Sequence, residues 1–268
     1  MDIWQAALLG VIQGLTEFLP VSSSGHLVLS QYFLGVTEGQ LTMTIILHFG
    51  SLIAVFVAMW YRLQPVITGT LRGVPDLVRM RWPSENTDFM WGVYIIVGTI
   101  PAVVIGLSFK DQIETALSDP RFACAMLLVT GAILLSTRFV RSKPRKLGWI
   151  NSLVIGIGQA LAILPGISRS GTTISTGLWL GIDRRSAAEY SFLLSIPVIL
   201  GPSLIEIGGV LTGPEGSLLP LAIGFLTAGI SGYFAIRVLL RFVQQGRFYW
   251  FAYYCWAVGI LGLAFIQP

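Results

Sequence analysis

Two short polar stretches of this chain hold side chains able to move a phosphoryl group. The first reads Gln13-Gly-Leu-Thr-Glu17-Phe-Leu-Pro20-Val-Ser22-Ser23-Ser24-Gly25-His26. One carboxylate, three serine hydroxyls and one imidazole thus fall close together, and a hydroxyl becomes a nucleophile when a neighbouring Glu or His takes its proton. The second reads Leu164-Pro165-Gly166-Ile167-Ser168-Arg169-Ser170-Gly171-Thr172-Thr173. It repeats the hydroxyl-rich turn and adds a guanidinium, whose planar fork gives paired hydrogen bonds to phosphate oxygens. Glu17, Ser23, His26 and Arg169 are therefore the candidates for catalysis.

These residues need elements to hold them. Pro20 lacks a backbone donor and stops a first half-helix, and the serines after it suit the N-cap of a second. A helix N-terminus carries free N–H groups and about half a positive charge, which makes it a site for phosphate. Ser22, Ser24, Gly25, Ser168, Ser170 and Thr173 are the candidates for that binding. Gln13 and Glu17 lie four apart on one helical face, as do Ser22 and His26, while Ser23 is three from His26.

Plainer roles exist for each of them. A run of serines can be only a cap and loop, and Arg169 could snorkel or pair with Glu17 as a structural bridge. Against that, a charge within a membrane costs about 2.5–3.5 kcal/mol or more and is functional by default. His48 suits a packing histidine and a site residue equally. Glu189, beside Arg184 and Arg185, suits an interfacial salt bridge, and Cys124 and Cys255 read as packing residues.

The surroundings of the two stretches are apolar. Of 268 residues, 54% are hydrophobic and 11% charged, against about 25% charged in soluble domains. Lipid must cover such a chain, which reads as a single membrane domain over 1–268. A net charge of +4 does not point to nucleic acid, because the basic residues sit in short loops as the positive-inside rule requires. Met1–Phe18 lacks a basic flank and a small-residue cleavage site, so it is not expected to be a removable signal peptide. Six spans are expected, near Leu41–Tyr61, Phe89–Phe109, Phe122–Phe139, Ala187–Ile205, Leu218–Val238 and Tyr249–Ile266, all helical because lipid offers the backbone no partner. Trp82, Trp91, Trp149 and Trp250 read as interface anchors.

Loop charge alternates. Arg62, Arg72, Arg79 and Arg81 fall on one side with Arg138, Arg141, Lys143, Arg145, Lys146, Arg184, Arg185, Arg237, Arg241 and Arg247. Asp111, Glu114, Asp119, Glu206 and Glu215 fall on the other. Basic loops go to the cytoplasm. Met1–Leu34 and Ile150–Leu180 must then each enter and leave on one face, the first opening outward and the second inward. They are expected to be re-entrant helical hairpins broken at Pro20–Gly25 and Pro165–Gly171.

A shift of 146 residues lays Gly10 on Gly156, Gln13 on Gln159, Ser22 on Ser168, Ser24 on Ser170 and Gly25 on Gly171. Each hairpin is followed by three spans, so repeat one (1–140) and repeat two (150–268) should be inverted copies, as in some transporters. That architecture alone also suits a lipid-phosphate flippase. A carrier has no use for a nucleophile with a neighbouring base, and the Glu17, Ser23 and His26 group favours an enzyme.

Glu17-Phe-Leu-Pro-Val-Ser-Ser-Ser-Gly-His26 and Pro165-Gly-Ile-Ser-Arg-Ser-Gly-Thr-Thr173 resemble the two signature motifs of the undecaprenyl-diphosphate phosphatases, the bacitracin-resistance family. Tyr190-Ser-Phe-Leu-Leu-Ser-Ile-Pro197 is similar to the same family. The resemblance implies a multi-pass enzyme of the bacterial plasma membrane with its site facing outside. Its substrate would be undecaprenyl diphosphate, and its product the monophosphate carrier of peptidoglycan synthesis. It also implies that Glu17, Ser23, His26 and Arg169 fall on essential positions, supported by Ser22, Ser168, Ser170 and Thr173. The family implies a divalent cation, magnesium or calcium. Members often carry Glu-x-x-x-Glu where this chain has Gln13 and Glu17, so here the cation would meet one carboxylate and one amide oxygen. Ser23 and His26 both stand as nucleophile candidates, with Ser23 favoured because its symmetry mate is Arg169. A homodimer is compatible with the sequence.

Overall fold

A computed structural model describes residues 2–34, 40–140, 145–212 and 218–266. These residues are helical throughout, apart from turns and one isolated bridge between Arg145 and Ile182. In chain order the helices are α1 (Ile3–Phe18), α2 (Ser23–Leu34), α3 (Gln40–Ala58), α4 (Trp60–Val78), α5 (Thr87–Ser108) and α6 (Lys110–Leu117). They continue as α7 (Pro120–Ser136), α8 (Trp149–Leu161), α9 (Arg169–Trp179), α10 (Arg184–Thr212), α11 (Leu218–Gln244) and α12 (Phe251–Phe265).

Local chemistry marks the starts. Gln5 Oε1 accepts from the Asp2 N–H at 2.9 Å ahead of α1. Asn86 Oδ1 accepts from Phe89 N–H at 3.0 Å ahead of α5. Asp119 Oδ1 takes the N–H groups of Arg121 and Phe122 ahead of α7, where Pro120 fills the first position, which needs no donor.

Five helical segments among the described residues are long and apolar enough to cross a membrane: Thr87–Ser108, Pro120–Phe139, Arg184–Leu204, Leu218–Gln244 and Phe248–Phe265. Each lies within a few residues of an expected span. The protein is a multi-pass membrane protein. The sixth expected span, Leu41–Tyr61, overlaps α3, which is long and apolar enough only together with α4. It ends at Ala58, and after Met59 the chain turns by 84° into α4, where a basic loop was expected. Helix α4 buries Leu63, Val66, Gly69 and Gly73 on the side facing α5 and leaves Ile67, Leu71, Val74 and Val78 exposed. Two prolines and two arginines inside it hid this stripe from a reading by mean apolarity.

Trp82, Trp149 and Trp250 are about half exposed, but Trp91 is buried. The Trp91 ring lies under the Arg62 guanidinium at 4.1 Å, so it is a core residue and not an anchor. Arg141, Lys143, Glu215 and the side chain of Glu206 lie outside the described residues, as does Met1.

The half-helices begin 146 residues apart: α1 at Ile3 and α8 at Trp149, α2 at Ser23 and α9 at Arg169. Helix α1 packs on α11, and α8 packs on α5. Both contacts are close because small residues line them, as in other membrane helix pairs. A Cβ on Gly10 would lie 2.5 Å from the Gly224 carbonyl oxygen, and one on Gly156 would lie 2.4 Å from that of Gly98. The core beneath the site contains Phe18, Tyr190 and Phe192, all fully buried. Phe18 and Phe192 meet edge-to-face at 5.9 Å, which ties the end of α1 to α10.

Candidate active site

Leu19 is extended, as the residue before a proline tends to be, and α1 ends there. Ser22 then takes a left-handed conformation with φ of 68°, a strain that non-glycine residues bear mainly at functional turns. It is held from several sides. Ser22 Oγ accepts from Gly25 N–H at 3.3 Å and from Gly166 N–H at 3.1 Å, so a serine of the first tip caps the backbone of both tips. Ser22 and Ser24 hydroxyls are 3.2 Å apart.

The second tip is built alike. Ser168 Oγ accepts from Gly171 N–H at 3.1 Å and lies 3.3 Å from Ser170 Oγ. Thr130 on α7 clamps the turn, donating to the Gly166 carbonyl at 2.7 Å and accepting from Ser168 N–H at 3.0 Å. Thr173 Oγ1 donates to the Arg169 carbonyl at 2.8 Å and sits 2.6 Å from Ser191 Oγ.

The tips touch directly. Ser170 Oγ donates to the Leu19 carbonyl at 3.3 Å. A Cβ on Gly25 would come within 3.1 Å of Gly166 Cα, and Gly166 itself has φ of 91°, where a side chain would add strain.

Glu17 is the hub. Its Oε2 accepts from Ser23 Oγ at 2.6 Å and from Gln13 Nε2 at 3.0 Å, and its Oε1 accepts from Arg169 Nη2 at 2.6 Å. Glu17 is only 8% exposed, and a buried charge of this kind persists only when paired. His48 Nε2 lies 3.9 Å from Glu17 Oε2, which brings that histidine to the site. Arg169 spends a second donor on the Ser191 carbonyl at 3.4 Å. Of its five N–H groups, the others are left to meet a ligand.

His26 stands apart from the Glu17 and Ser23 pair. Its Nδ1 lies 2.9 Å from the Ser22 carbonyl oxygen, which can only accept, so Nδ1 carries the hydrogen. In the neutral ring Nε2 then accepts from the Tyr254 hydroxyl, 2.9 Å away, and the Tyr254 ring is stacked on the imidazole at 5.6 Å.

No three His, Cys, Asp or Glu side chains cluster as a metal site among the described residues. Gln13 Oε1 is nevertheless buried with no hydrogen-bond partner. An orphaned oxygen beside a carboxylate is a fitting ligand for a hard cation, provided a substrate and water supply the rest.

The family model for "Bacitracin resistance protein BacA" matches residues 6–261. The chain belongs to this family. Relatives within it carry the name undecaprenyl-diphosphatase. One from Desulfatibacillum aliphaticivorans is 43% identical over 95% of each chain. Another from Halothermothrix orenii is 43% identical over 97% of each. A third from Salinibacter ruber is 40% identical over 98% of this chain and 99% of its own.

All ten candidate residues of the two motifs meet around the contact between the tips. Sequence reasoning did not anticipate Tyr254, Ser191 or Thr130, which reach the site from α12, α10 and α7. Tyr190-Ser191-Phe192 lies in a stretch similar to the family, which was the one signal available for Ser191. Glu189 forms the interfacial ion pair expected of it, with Arg185 Nε at 2.7 Å. Arg184 instead sits against Gly246.

Proposed function

We propose that this member of the family hydrolyses undecaprenyl diphosphate to undecaprenyl phosphate and inorganic phosphate, and so returns the lipid carrier to peptidoglycan synthesis. The family's name ties this activity to bacitracin resistance. One observation carries the chemistry: a single buried carboxylate accepts from both Ser23 and Arg169 at 2.6 Å. A general base, a nucleophile and a phosphate clamp are thereby within reach of one another.

Phosphoryl transfer depends mainly on positioning and charge neutralisation. The diphosphate docks between the tips, where the remaining N–H groups of Arg169 and the Ser24 hydroxyl reach it, while Ser22, Ser168, Ser170, Thr173 and the Gly25 N–H, hydrogen-bonded within the turns, fix the backbone around it. Glu17 takes the proton of Ser23 Oγ as that oxygen bonds to the terminal phosphorus. The bond from phosphorus to the bridging oxygen breaks, and undecaprenyl phosphate leaves with the proton. A water deprotonated by Glu17 then attacks the phosphoserine, releasing inorganic phosphate and restoring Ser23. His26 serves better as a positioning and binding group than as the nucleophile, because both its ring nitrogens are engaged. A divalent cation, magnesium or calcium, would be held by Gln13 Oε1 and Glu17 and would neutralise charge on the phosphate oxygens.

The fold reading that fits this chemistry is a pair of re-entrant hairpins, α1–α2 and α8–α9, in inverted repeats over 1–140 and 150–268. Their tips would meet near the middle of a bacterial plasma membrane with the site opening outward, as the basic loop ends imply. Purified protein in detergent, given undecaprenyl diphosphate, should release inorganic phosphate, and a chelator should slow it. Lack of release with and without added magnesium or calcium would overturn the assignment.

A further inference from the structure

Where α3 ends, α10 begins and α11 ends, Tyr61, Arg185, Arg237, Leu240, Arg241 and Gln244 line a cavity of about 400 Å³. None of them serves in the chemistry above. Ser191, which touches Arg169, and Arg185 are six residues apart on α10, about 9 Å of helix rise. The cavity is therefore separate from the catalytic contact between the tips.

Basic residues at one end of a membrane protein are expected from topology alone. Three arginines lining one hollow, with the Arg237 guanidinium 5.3 Å from the Tyr233 ring, are not, because like charges repel across it. Among the described residues the one carboxylate paired with the lining is that of Glu189, and it is already shared. Its Oε1 accepts from the Tyr61 hydroxyl at 3.0 Å and from Arg185 Nε at 2.7 Å, and its Oε2 lies 3.9 Å from Arg62 Nε. Arg237 and Arg241 form no ion pair among the described residues. They lie four apart on α11, with Gln244 three further on, so all three project from one helical face. Glu189 engages only Nε of Arg185 and holds that side chain at the cavity wall with both Nη groups available.

We propose that this cavity binds a phosphate-bearing anion, clamped by Arg185, Arg237 and Arg241, with Gln244 as a neutral partner and Glu189, held by the Tyr61 hydroxyl, as the positioning residue. The same chemistry can come from a lipid headgroup or from free phosphate. The surroundings suit a lipid. Helix α4 leaves the end of α3 at 84° with Ile67, Leu71, Val74 and Val78 exposed, the disposition of a helix lying in a membrane interface. The cavity would then open at the height of the headgroups.

The test uses the full-length protein in detergent, with Arg237→Gln/Arg241→Gln as the probe and Arg72→Gln/Arg79→Gln as a control of equal charge change on α4 and its end. Native mass spectrometry with equal phosphatidic acid and phosphatidylcholine measures which lipid is retained. Equilibrium dialysis with radiolabelled inorganic phosphate counts bound phosphate. Wild type should prefer phosphatidic acid by about tenfold, the low end of what one charge-assisted hydrogen bond contributes. The cavity variant should fall to near parity while the control keeps the preference, and undecaprenyl diphosphate hydrolysis should change less than about twofold, within the noise of distant sites. If the cavity variant instead binds one inorganic phosphate fewer with its lipid preference intact, the anion is the free one. Equal loss in the control, or no loss in either arm, overturns the proposal.

Discussion

At the first tip Ser22 Oγ accepts from Gly25 N–H at 3.3 Å, and at the second Ser168 Oγ accepts from Gly171 N–H at 3.1 Å. The neighbouring serines are 3.2 Å apart in one and 3.3 Å apart in the other. Helices start one residue past each capping serine, at Ser23 and Arg169. Against this shared backbone the reactive positions differ. Glu17 faces its equivalent in Ile163, Ser23 in Arg169 and His26 in Thr172. The backbone differs as well: φ is 68° at Ser22 and −75° at Ser168. Both serine carbonyls accept the N–H four residues on, but only the Ser22 carbonyl also meets a ring nitrogen, His26 Nδ1. One scaffold thus serves twice, and in the proposed mechanism its side chains divide nucleophile and base from clamp.

Breaking the division at its hub should have the largest effect. Glu17→Gln removes the base and leaves Arg169 without its carboxylate. Steady-state phosphate release should fall by about 10³–10⁴-fold, the upper part of the range of about 10²–10⁴ for a positioned base. The thermal midpoint in detergent should fall too, because removing one partner of a buried pair costs about 3–5 kcal/mol. A variant with near-normal turnover would remove Glu17 from the chemistry.

Arg169→Lys tests the clamp next. It keeps the charge but loses the fork, and turnover should drop by about 10²–10³-fold, the scale of one lost donor to developing charge. A kcat close to wild type would make Arg169 a structural partner of Glu17 and no more.

Tyr254→Phe sharpens the comparison with the smallest change. It leaves the stacked ring and deletes the hydroxyl on His26 Nε2. A loss of about tenfold is expected, the worth of one hydrogen bond of about 1.5 kcal/mol, with Tyr254→Ala worse because the stack goes as well. If Phe and Ala variants are equally impaired, the ring and not the hydroxyl positions His26.

Much of the site was legible because its devices are short-range. Pro20 ending the first half-helix, Ser22 and Ser168 capping the next ones, and Gln13 and Glu17 four apart are all written within a few residues. Long apolar runs likewise marked five spans to within a few residues. What escaped depends on tertiary contact. Tyr254 lies 228 residues from His26, and nothing near it in the chain distinguishes it from Tyr253. Trp91 looked like an anchor at a span end until Arg62, brought over it by the turn at Met59, covered it. Helix α4 was missed because its apolar stripe is interrupted by Arg62, Arg72, Pro65 and Pro75, so only its periodicity, and not its mean composition, carries the signal.

The central claim is that Ser23, activated by Glu17, forms the covalent intermediate while His26 does not. Rapid quench of purified enzyme with substrate labelled on the terminal phosphate tests it most directly. Wild type should yield an acid-stable phosphoserine mapping to Ser23, His26→Ala should yield the same adduct more slowly, and Ser23→Ala should yield none. An acid-labile phosphohistidine, or a normal burst from Ser23→Ala, would contradict the account.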